Sequence, residues 1–240
     1  MIVAAAIAPH GTPAFAPGPT RDALQEIGRR FAAAAPETIV VSTPHNVHVS
    51  GHFAVVDAAE VAGSLGEWGE PERTLRRPVD RRLAAAVVSH AGPLPIVSLS
   101  YGGNDASTAV APMDWGTLIP LTFLPELPVV VVSPARDRAL AEHEALGRAI
   151  AAAAGATRVA LVASADHGHA HDPDGPYGYD PAAAASHGSR PAASSEPMIP
   201  ASTSPAPAVA SQDGPTVVAC TRPPGSATSV CRPLSSTTAS

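Results

Sequence analysis

The sequence predicts an α/β fold: a three-layer sandwich with a mainly parallel central sheet, followed by a disordered tail. Short apolar runs, β-branched where they centre, recur along the first two thirds of the 240 residues. Amphipathic helical stretches separate these runs, and the composition changes abruptly near Ser186. Apolar runs of this kind are typical of strands that are buried on both faces of a sheet.

Five apolar runs are the predicted strands. They are Ile2–Ala8, Thr38–Ser42, Ile96–Leu99, Val129–Val132 and Val159–Ser164. Strands that alternate with helical segments are typical of parallel sheets, because a crossover helix returns the chain to the edge from which the first strand began.

Three amphipathic segments are the predicted helices. The first carries Leu24 and Phe31 on its apolar face; we expect Thr20 to cap its start and Pro36 to stop it. A glycine, Gly155, follows the third segment as a C-cap would. The second and third segments are Asp80–Ser89 and Arg136–Ala154.

The predicted α/β domain covers residues 1–185, and a low-complexity tail covers residues 186–240. Of the 55 tail residues, 36 are Pro, Ser, Thr or Ala and only six are Val, Ile or Leu. So few apolar side chains cannot offset the entropy of ordering the backbone. Because the tail follows a helix-like start at Asp180–Ala183, we hypothesise that a shifted reading frame replaced the native C-terminus and left the domain incomplete there.

The charge balance excludes two classes of partner. The 15 basic residues are all arginine against 21 acidic residues, for a net charge of −6. This balance offers no basic surface for nucleic acid and no polybasic patch for a membrane. No apolar run approaches the roughly 20 residues of a membrane span, and no charged segment precedes the first apolar run. We therefore expect a cytoplasmic protein. The sequence is also compatible with a homo-oligomer.

Histidines follow three of the predicted strands. His10 follows the first strand, His45 follows the second, and His167, His169 and His171 follow the last. Ligands of open α/β sheets bind outside the carboxyl ends of the strands, and neutral imidazole is the commonest metal ligand. Each His-Gly or Pro-His pair alone is also typical of a polar turn, but three such coincidences favour a metal site.

Other catalytic motifs are missing from the sequence. It contains neither His-Glu-x-x-His nor Cys-x-x-Cys, and neither the Gly-x-Ser-x-Gly elbow nor the phosphate-binding Gly-x-x-x-x-Gly-Lys motif. The sequence therefore gives no support to a nucleophile-elbow hydrolase or a P-loop nucleotide-binding protein.

Four segments together resemble a known family. Ala8–Gly11, Ser42–Asn46, Met113–Leu121 and Ser164–His169 are similar to successive motifs of the class III extradiol ring-cleavage dioxygenases, in the catalytic (B-type) subunit. The resemblance covers about residues 1–181. It implies a mononuclear non-haem Fe(II) held by two histidines and one carboxylate, and cleavage of a catechol-type aromatic ring with O₂ as co-substrate.

The resemblance assigns roles by position in these motifs. It implies that His10 and His45 are the iron ligands, although an alternative register would use His48. It also implies that His169 is the acid–base histidine, because the deprotonation of an aromatic diol calls for a group that titrates near neutrality. No separate organic cofactor is implied.

His167 and His171 are the alternatives to His169 for this acid–base role. A solvated, histidine-rich loop is the other interpretation of the two residues.

Two departures from the family pattern leave further functions open. Trp115 stands where the motif commonly carries a histidine, and no third ligand is assigned, since Glu196 and Asp213 are the only acids after Asp180 and neither lies in a recognisable motif. The first alternative is a catalytically impaired or non-catalytic binding or scaffold protein on the same fold. The second, a zinc hydrolase that uses the same histidines, rests on the affinity of imidazole for zinc.

Overall fold

The computed structural model describes residues 1–102, 105–165, 170, 173–174 and 178–182, together with the backbone of two strands at 217–221 and 230–233. The chain divides into two units. The first unit is Met1–Ala165 with Pro215–Ser240, and the second is Asp166–Gly214. The fold and the site described below belong to the first unit.

The first unit alternates strands and helices along the described chain. Its strands are β1 Ile2–Ala8, β2 Thr38–Ser42, β3 Phe53–Val56, β4 Glu60–Leu65, β5 Glu70–Pro78, β6 Ile96–Tyr101, β7 Val110–Pro112, β8 Val129–Ser133, β9 Val159–Ser164, β10 Val217–Thr221 and β11 Val230–Pro233. Its helices are α1 Pro19–Ala34, α2 Arg81–His90, α3 Trp115–Leu121 and α4 Leu140–Ala154.

The central sheet has the strand order β1-β9-β2-β8-β3-β6-β10-β11. Strands β1, β9, β2 and β8 run parallel to one another. Strand β3 pairs antiparallel with β8 and parallel with β6, and β10 and β11 add antiparallel pairs. The expectation of a mainly parallel sheet in an α/β fold is confirmed.

Both faces of the central strands are buried. In β2 the side chains of Ile39 and Val41 pack into one apolar cluster and Val40 into another, because successive side chains of a strand point to opposite faces. Helices α2 and α4 cover the second cluster with Leu83 and Leu146, among others. Burial on both faces explains why these strands are continuous apolar runs in the sequence.

The layer on the other face combines helices α1 and α3 with a small second sheet. That sheet has the order β5-β4-β7. Leu24 and Phe31 of α1, Leu118 of α3 and Val61 of β4 all belong to the cluster on this face. Helices and small sheet form one layer, the central sheet the next, and α2 with α4 the last, so the first unit is a three-layer α/β sandwich.

The structure corrects the starts of two helices and adds a sheet. Helix α4 begins at Leu140 and not at Arg136, because the carboxylate of Glu142 accepts from the amide of Ala139 and fixes the first turn there. Helix α1 begins at Pro19 with Gly18 as N-cap, and no side chain caps it. The expected capping role of Thr20 is therefore wrong, because the residue already lies inside the helix. The second sheet was not predicted, because β5 alternates exposed charged side chains such as Arg76 with partly buried ones such as Leu75 and forms no apolar run.

Beyond residue 182 the described residues are β10 and β11, which continue the central sheet next to β6. The boundary near residue 185 and the disorder of the tail stay predictions. No helix among the described residues is long and apolar enough to cross a membrane.

Close packing of α1 against the turn after α3 predicts a strong effect at one glycine. A Cβ at Gly28 would overlap the backbone carbonyl oxygen of Phe123. We expect Gly28→Ala to lower the free energy of unfolding by about 1–3 kcal/mol, since overpacking a well-packed core forces the backbone apart. Urea unfolding followed by circular dichroism measures the change.

The matched control is Gly147→Ala in α4, where a Cβ would meet nothing within 4 Å. Alanine is the better helix former by about 1 kcal/mol, so this variant should be slightly more stable than the wild type. An unfolding midpoint of Gly28→Ala equal to that of the wild type would contradict the packing described here.

Candidate functional site

Two histidines meet at the edge of the sheet where β1, β2 and β9 end. His10 follows β1 and His45 follows β2, and both strands run parallel to β9, which lies between them. The Nε2 atoms of the two rings lie 3.1 Å apart. The ring centroids are 4.7 Å apart and the planes are nearly perpendicular, at 84°. Parallel strands thus bring together two imidazoles that are 35 residues apart in the chain.

The spacing of the two Nε2 atoms fits a shared metal ion. Two imidazole nitrogens that each bind a divalent metal at about 2.1 Å with a right angle between them lie about 3 Å apart. The same spacing is compatible with a hydrogen bond between the two rings. Whether the two Nε2 atoms carry protons therefore decides whether the pair can bind a metal ion.

A buried serine fixes the tautomer of His10. Ser164, the last residue of β9, lies with its Oγ 2.9 Å from Nδ1 of His10, and its hydroxyl donates to the carbonyl oxygen of Gly116. A hydroxyl has one proton, so Oγ must accept from Nδ1–H of His10. Nε2 of His10 then carries a lone pair directed at the position that a metal ion would take. A histidine that binds a metal through one ring nitrogen typically donates the N–H of its other ring nitrogen to a hydrogen-bond acceptor.

The backbone of His45 is linked through Thr43 to the half-buried carboxylate of Asp114. The amide of His45 donates to Oγ1 of Thr43 at 3.3 Å, and Thr43 donates to Oδ1 of Asp114 at 2.8 Å. Asp114 is also the N-cap of α3, where it accepts from the amide of Thr117 at 3.0 Å and from its hydroxyl at 2.8 Å. One carboxylate therefore fixes both the start of α3 and the loop that presents His45.

Only glycine fits at position 116 without displacing these groups. A Cβ there would come within 2.7 Å of Oγ1 of Thr43 and 2.8 Å of Oδ1 of Asp114. The same residue provides the carbonyl oxygen that accepts from Ser164. Gly116 thus lets α3 approach both histidines closely.

One tryptophan lies beside His45 and the other lies beside that tryptophan. The ring centroid of Trp115 is 4.3 Å from that of His45, and the ring centroid of Trp68 is 5.0 Å from that of Trp115. Trp68 is 49% exposed, whereas Trp115 is partly buried. An indole donates one N–H and accepts nothing, so Trp115 cannot exchange protons as the histidine that is common at this place can.

The loop after β2 is held from the neighbouring strand end. Arg136 donates to the carbonyl oxygen of Pro44. Asp137 accepts from the amide of Gly51 at 2.6 Å, and this hydrogen bond is the main cause of its lowered pKa. A smaller contribution to the lowered pKa comes from His48, which is exposed on this loop. It is His45, and not His48, whose Nε2 faces His10.

A buried phenol contacts the residue after His45. Tyr101, the last residue of β6, is 4% exposed, and its hydroxyl donates to Oδ1 of Asn46 at 3.2 Å. Burial raises the pKa of Tyr101 to about 12, and the negative charge of Asp114 acts in the same direction. The phenol therefore keeps its proton throughout the neutral range.

The acid–base candidates His169, His167 and His171 lie outside the described residues, and so do Glu196 and Asp213. Among the residues that the structure describes, no group of three or more His, Cys, Asp or Glu side chains is arranged to hold a metal. The roles of His10 and His45 as ligands and of His169 as acid–base residue stay predictions.

Sequence reasoning did not find the residues that support the pair. Thr43, Asp114, Gly116 and Ser164 all lie in the motifs quoted above, but a motif does not say which atoms bond. Trp68 gave no signal, since the hairpin that carries it has no apolar run.

Comparisons with known proteins agree with this arrangement of motifs. A family model described as the catalytic LigB subunit of aromatic ring-opening dioxygenase matches residues 5–196. The protein CA_C1420 of Clostridium acetobutylicum is 25% identical over an alignment of 173 residues, and the match covers 68% of this chain and 36% of that protein.

A solved structure, that of the uncharacterized protein JW3007 from Escherichia coli K12, shares 22% identity, covers 63% of this chain and 55% of that chain, and gives a TM-score of 0.46. The chain spans a little over a third of the length of the curated relative and a little over half of the solved one.

The tautomer argument predicts that Ser164→Ala weakens metal binding. Without the hydroxyl, Nδ1 of His10 loses the acceptor that keeps its proton there, and we expect affinity for Co(II) to fall about 10–100-fold. Quenching of tryptophan fluorescence measures it, because the ring of Trp115 lies 4.3 Å from that of His45. The control is Ser42→Ala at the end of the neighbouring strand, which should bind as the wild type does; equal affinity of Ser164→Ala would refute the argument.

The raised pKa of Tyr101 predicts a specific loss of stability in alkali. The phenol holds its proton more tightly in the folded chain, so its contribution is complete below about pH 10 and is lost as the pH rises to about 12. Over this range the wild type should lose roughly 2–3 kcal/mol more of its free energy of unfolding than Tyr101→Phe. Urea unfolding at a series of pH values measures both slopes, and parallel slopes would contradict the shift.

Proposed function

Because the chain belongs to the family of catalytic LigB subunits of aromatic ring-opening dioxygenases, we propose that it is an Fe(II)-dependent extradiol dioxygenase that cleaves a catechol-type ring. The observation that carries the proposal is the approach of the Nε2 atoms of His10 and His45, with the Nε2 lone pair of His10 fixed by Ser164. A catechol-type aromatic diol is the proposed substrate and O₂ the co-substrate.

The proposed reaction balances without a further reductant. Both atoms of O₂ enter the product as the ring carbon–carbon bond beside the diol breaks, which yields one aldehyde and one carboxylate from the opened ring. Four electrons pass from the organic substrate to the two oxygen atoms. When bound, Fe(II) supplies a centre at which diol and O₂ are held side by side and through which these electrons pass.

The described residues contribute to this chemistry by position. His10 and His45 would bind the iron through neutral imidazoles and leave its other face to substrate and O₂. Trp115 covers one face of the His45 ring at 4.3 Å and excludes water from it. The Thr43–Asp114 hydrogen bond keeps the backbone of His45 in place, so the pair is oriented before any ligand arrives.

Proton transfer is assigned to His169. We propose that this residue accepts a proton from a hydroxyl of the diol and returns it later in the reaction, as an acid–base group near neutrality can. The indole of Trp115 has no lone pair for this task. The carboxylate that would complete the iron site is not assigned to a residue.

Substitution of the proposed residues predicts two different outcomes. His10→Gln and His45→Ala should lose iron and ring cleavage together, since each removes one of two imidazole ligands. Glutamine is chosen at position 10 because His10 is buried, at 4% exposure. His169→Ala should keep its iron while turnover falls by about 10²–10⁴-fold.

Iron is measured after anaerobic loading and desalting, and folding by circular dichroism. The control is His90→Ala, because His90 lies exposed at the end of α2, where its Nδ1 is 2.9 Å from the carbonyl oxygen of Ala86 in the same helix. Loss of iron from His169→Ala, or its retention in both ligand variants, would show that the roles are exchanged.

The activity itself is tested on the iron-loaded chain and on a chain whose C-terminus is restored to a family-like sequence. Anaerobic Fe(II) loading followed by a catechol and O₂ should give a yellow ring-opened product with one O₂ consumed per ring. Binding of the diol without product or O₂ uptake, in both chains, would favour a non-catalytic binding or scaffold role. Activity that needs Zn(II) but not O₂ would favour the hydrolase.

A further inference from the structure

Trp68 presents about half of its surface to solvent close to the histidine pair. The residue is 49% exposed, yet its ring centroid lies 5.0 Å from that of Trp115, which lies 4.3 Å from that of His45. Three rings thus form a continuous row that leads from His45 to the surface. Tryptophan is highly buried on average, so a large exposed indole beside a candidate site calls for a physical reason.

The turn that carries Trp68 holds its backbone in place. Trp68 ends the short 3₁₀ turn Gly66–Trp68 between β4 and β5. Gly69 follows in the left-handed region, with a φ of 79°, and its amide donates to the carbonyl oxygen of Gly66. Leu65, directly before the turn, is fully buried. Because the backbone is anchored on both sides of the indole, a ligand that packs on this ring has little loop ordering to offset.

The hairpin of β4 and β5 contacts the segments that carry or support both histidines. On one side Trp68 lies against Trp115, the first residue of α3. On the other side the guanidinium carbon of Arg73 in β5 lies 3.9 Å from the ring centroid of Phe15, in the short turn that begins two residues after His10. The hairpin is thus attached at two points beside the pair, with Trp68 as the outermost ring of the row.

A second aromatic ring is the ligand group that fits this surface. An indole face packs well on another flat ring, with the two centroids about 4.5–7 Å apart, and both faces then leave water. The ring of the diol itself would lie at the Nε2 atoms of the pair, whereas the ring of Trp115 separates Trp68 from His45. A group that packs on Trp68 is therefore a substituent of the diol.

We propose that Trp68 determines the substrate specificity of the site by stacking on a second aromatic ring that is attached to the diol. The inference rests on the proposed function and narrows its substrate class to catechols with an aryl substituent. The outer ring exchanges its contact with water for a contact with the indole, whereas a single-ring catechol leaves Trp68 in water. Stacking on Trp68 therefore raises the affinity for the two-ring diol alone.

The test measures binding of catechol, 3-phenylcatechol and 4-phenylcatechol to the Co(II)-loaded full chain without O₂, by isothermal titration calorimetry. The wild type should bind at least one phenylcatechol about tenfold or more tightly than catechol. Trp68→Ala should lose about tenfold in affinity for that phenylcatechol and should bind catechol within about twofold of the wild type. An unchanged affinity of Trp68→Ala for both phenylcatechols would overturn the inference.

Two further variants show whether the flat ring is the cause. Trp68→Phe keeps an aromatic ring and should retain most of the preference for the phenylcatechol. Trp68→Leu keeps an apolar side chain without a ring and should lose more of this preference. Equal affinities of the two variants for the phenylcatechol would overturn stacking as its cause.

The matched control is Val110→Ala. Val110 is 43% exposed in β7 of the same small sheet, and it pairs with Glu60, at the end of β4 away from Trp68. This variant should bind all three diols as the wild type does. An equal loss in Val110→Ala and Trp68→Ala would overturn a specific role of Trp68.

Two other uses of the exposed indole predict different results. If Trp68 only supported Trp115 and His45, Trp68→Ala would weaken Co(II) binding, and its affinity for catechol and phenylcatechol would fall by the same factor. We expect instead an unchanged Co(II) affinity, which quenching of the remaining Trp115 measures. If a second copy of the chain covered Trp68, sedimentation would show a dimeric wild type and a monomeric Trp68→Ala with equal phenylcatechol affinity. Either result would overturn the inference.

The same titrations separate the two proposals. A wild type that binds catechol, but neither phenylcatechol more tightly, would overturn the role of Trp68 and leave the proposed function intact. A wild type that binds Co(II) but none of the three diols would overturn the proposed substrate class and, with it, this role of Trp68.

Discussion

The hydroxyl group of Ser164 is the interaction on which the site depends. It contacts His10, which lies 154 residues earlier in the chain, and Gly116, which lies 48 residues earlier. Its single proton goes to the carbonyl oxygen of Gly116, so the ring of His10 has one tautomer available to it. The end of β9, the turn after β1 and the start of α3 are thereby joined at one buried atom. A ligand nitrogen with a lone pair follows from this bond and not from the histidine alone.

Asp114 has a similar part on the other side of the pair. Its two oxygens accept from Thr43 and Thr117, and its charge acts on the phenol of Tyr101. This carboxylate caps the free amides at the start of α3. It also orients the loop of His45 and favours the protonated form of the Tyr101 phenol. The short helix α3 is therefore a support for the site, and the glycine at position 116 is the condition for its close approach.

The sequence predicted five of the eight strands of the central sheet and missed the buried strand β3 as well as β10 and β11. The bounds of β1, β2 and β9 agree with the predicted strands Ile2–Ala8, Thr38–Ser42 and Val159–Ser164. Strands β2 and β9 are buried over most of their length inside the sheet, and this burial requires a continuous apolar run. Strand β1 is the outermost strand and is partly exposed, but its sequence is also apolar throughout. The small sheet was missed because its strands are short or half exposed. The start of α1 was misplaced because Gly18 and Pro19, and no capping side chain, begin it.

The sequence predicted the site only for the residues that directly follow a predicted strand. Placing His10 and His45 after parallel strands was enough to expect them at one edge of the sheet. Nothing local to Ser164 says that its hydroxyl lies between an imidazole and a carbonyl oxygen. Likewise Trp68 contacts Trp115 only because the hairpin of β4 and β5 packs beside α3. No sequence pattern indicates this contact.

The sequence by itself determined five strands of the central sheet, the histidines that follow three of them, and the order of the motifs that identify the family. The tertiary structure alone decided that His45 rather than His48 faces His10, and that Nε2 of His10 carries the lone pair. The physical reason is that strand formation follows from local apolar patterns, whereas a hydrogen bond depends on the position of a single proton between groups that only folding brings within about 3 Å.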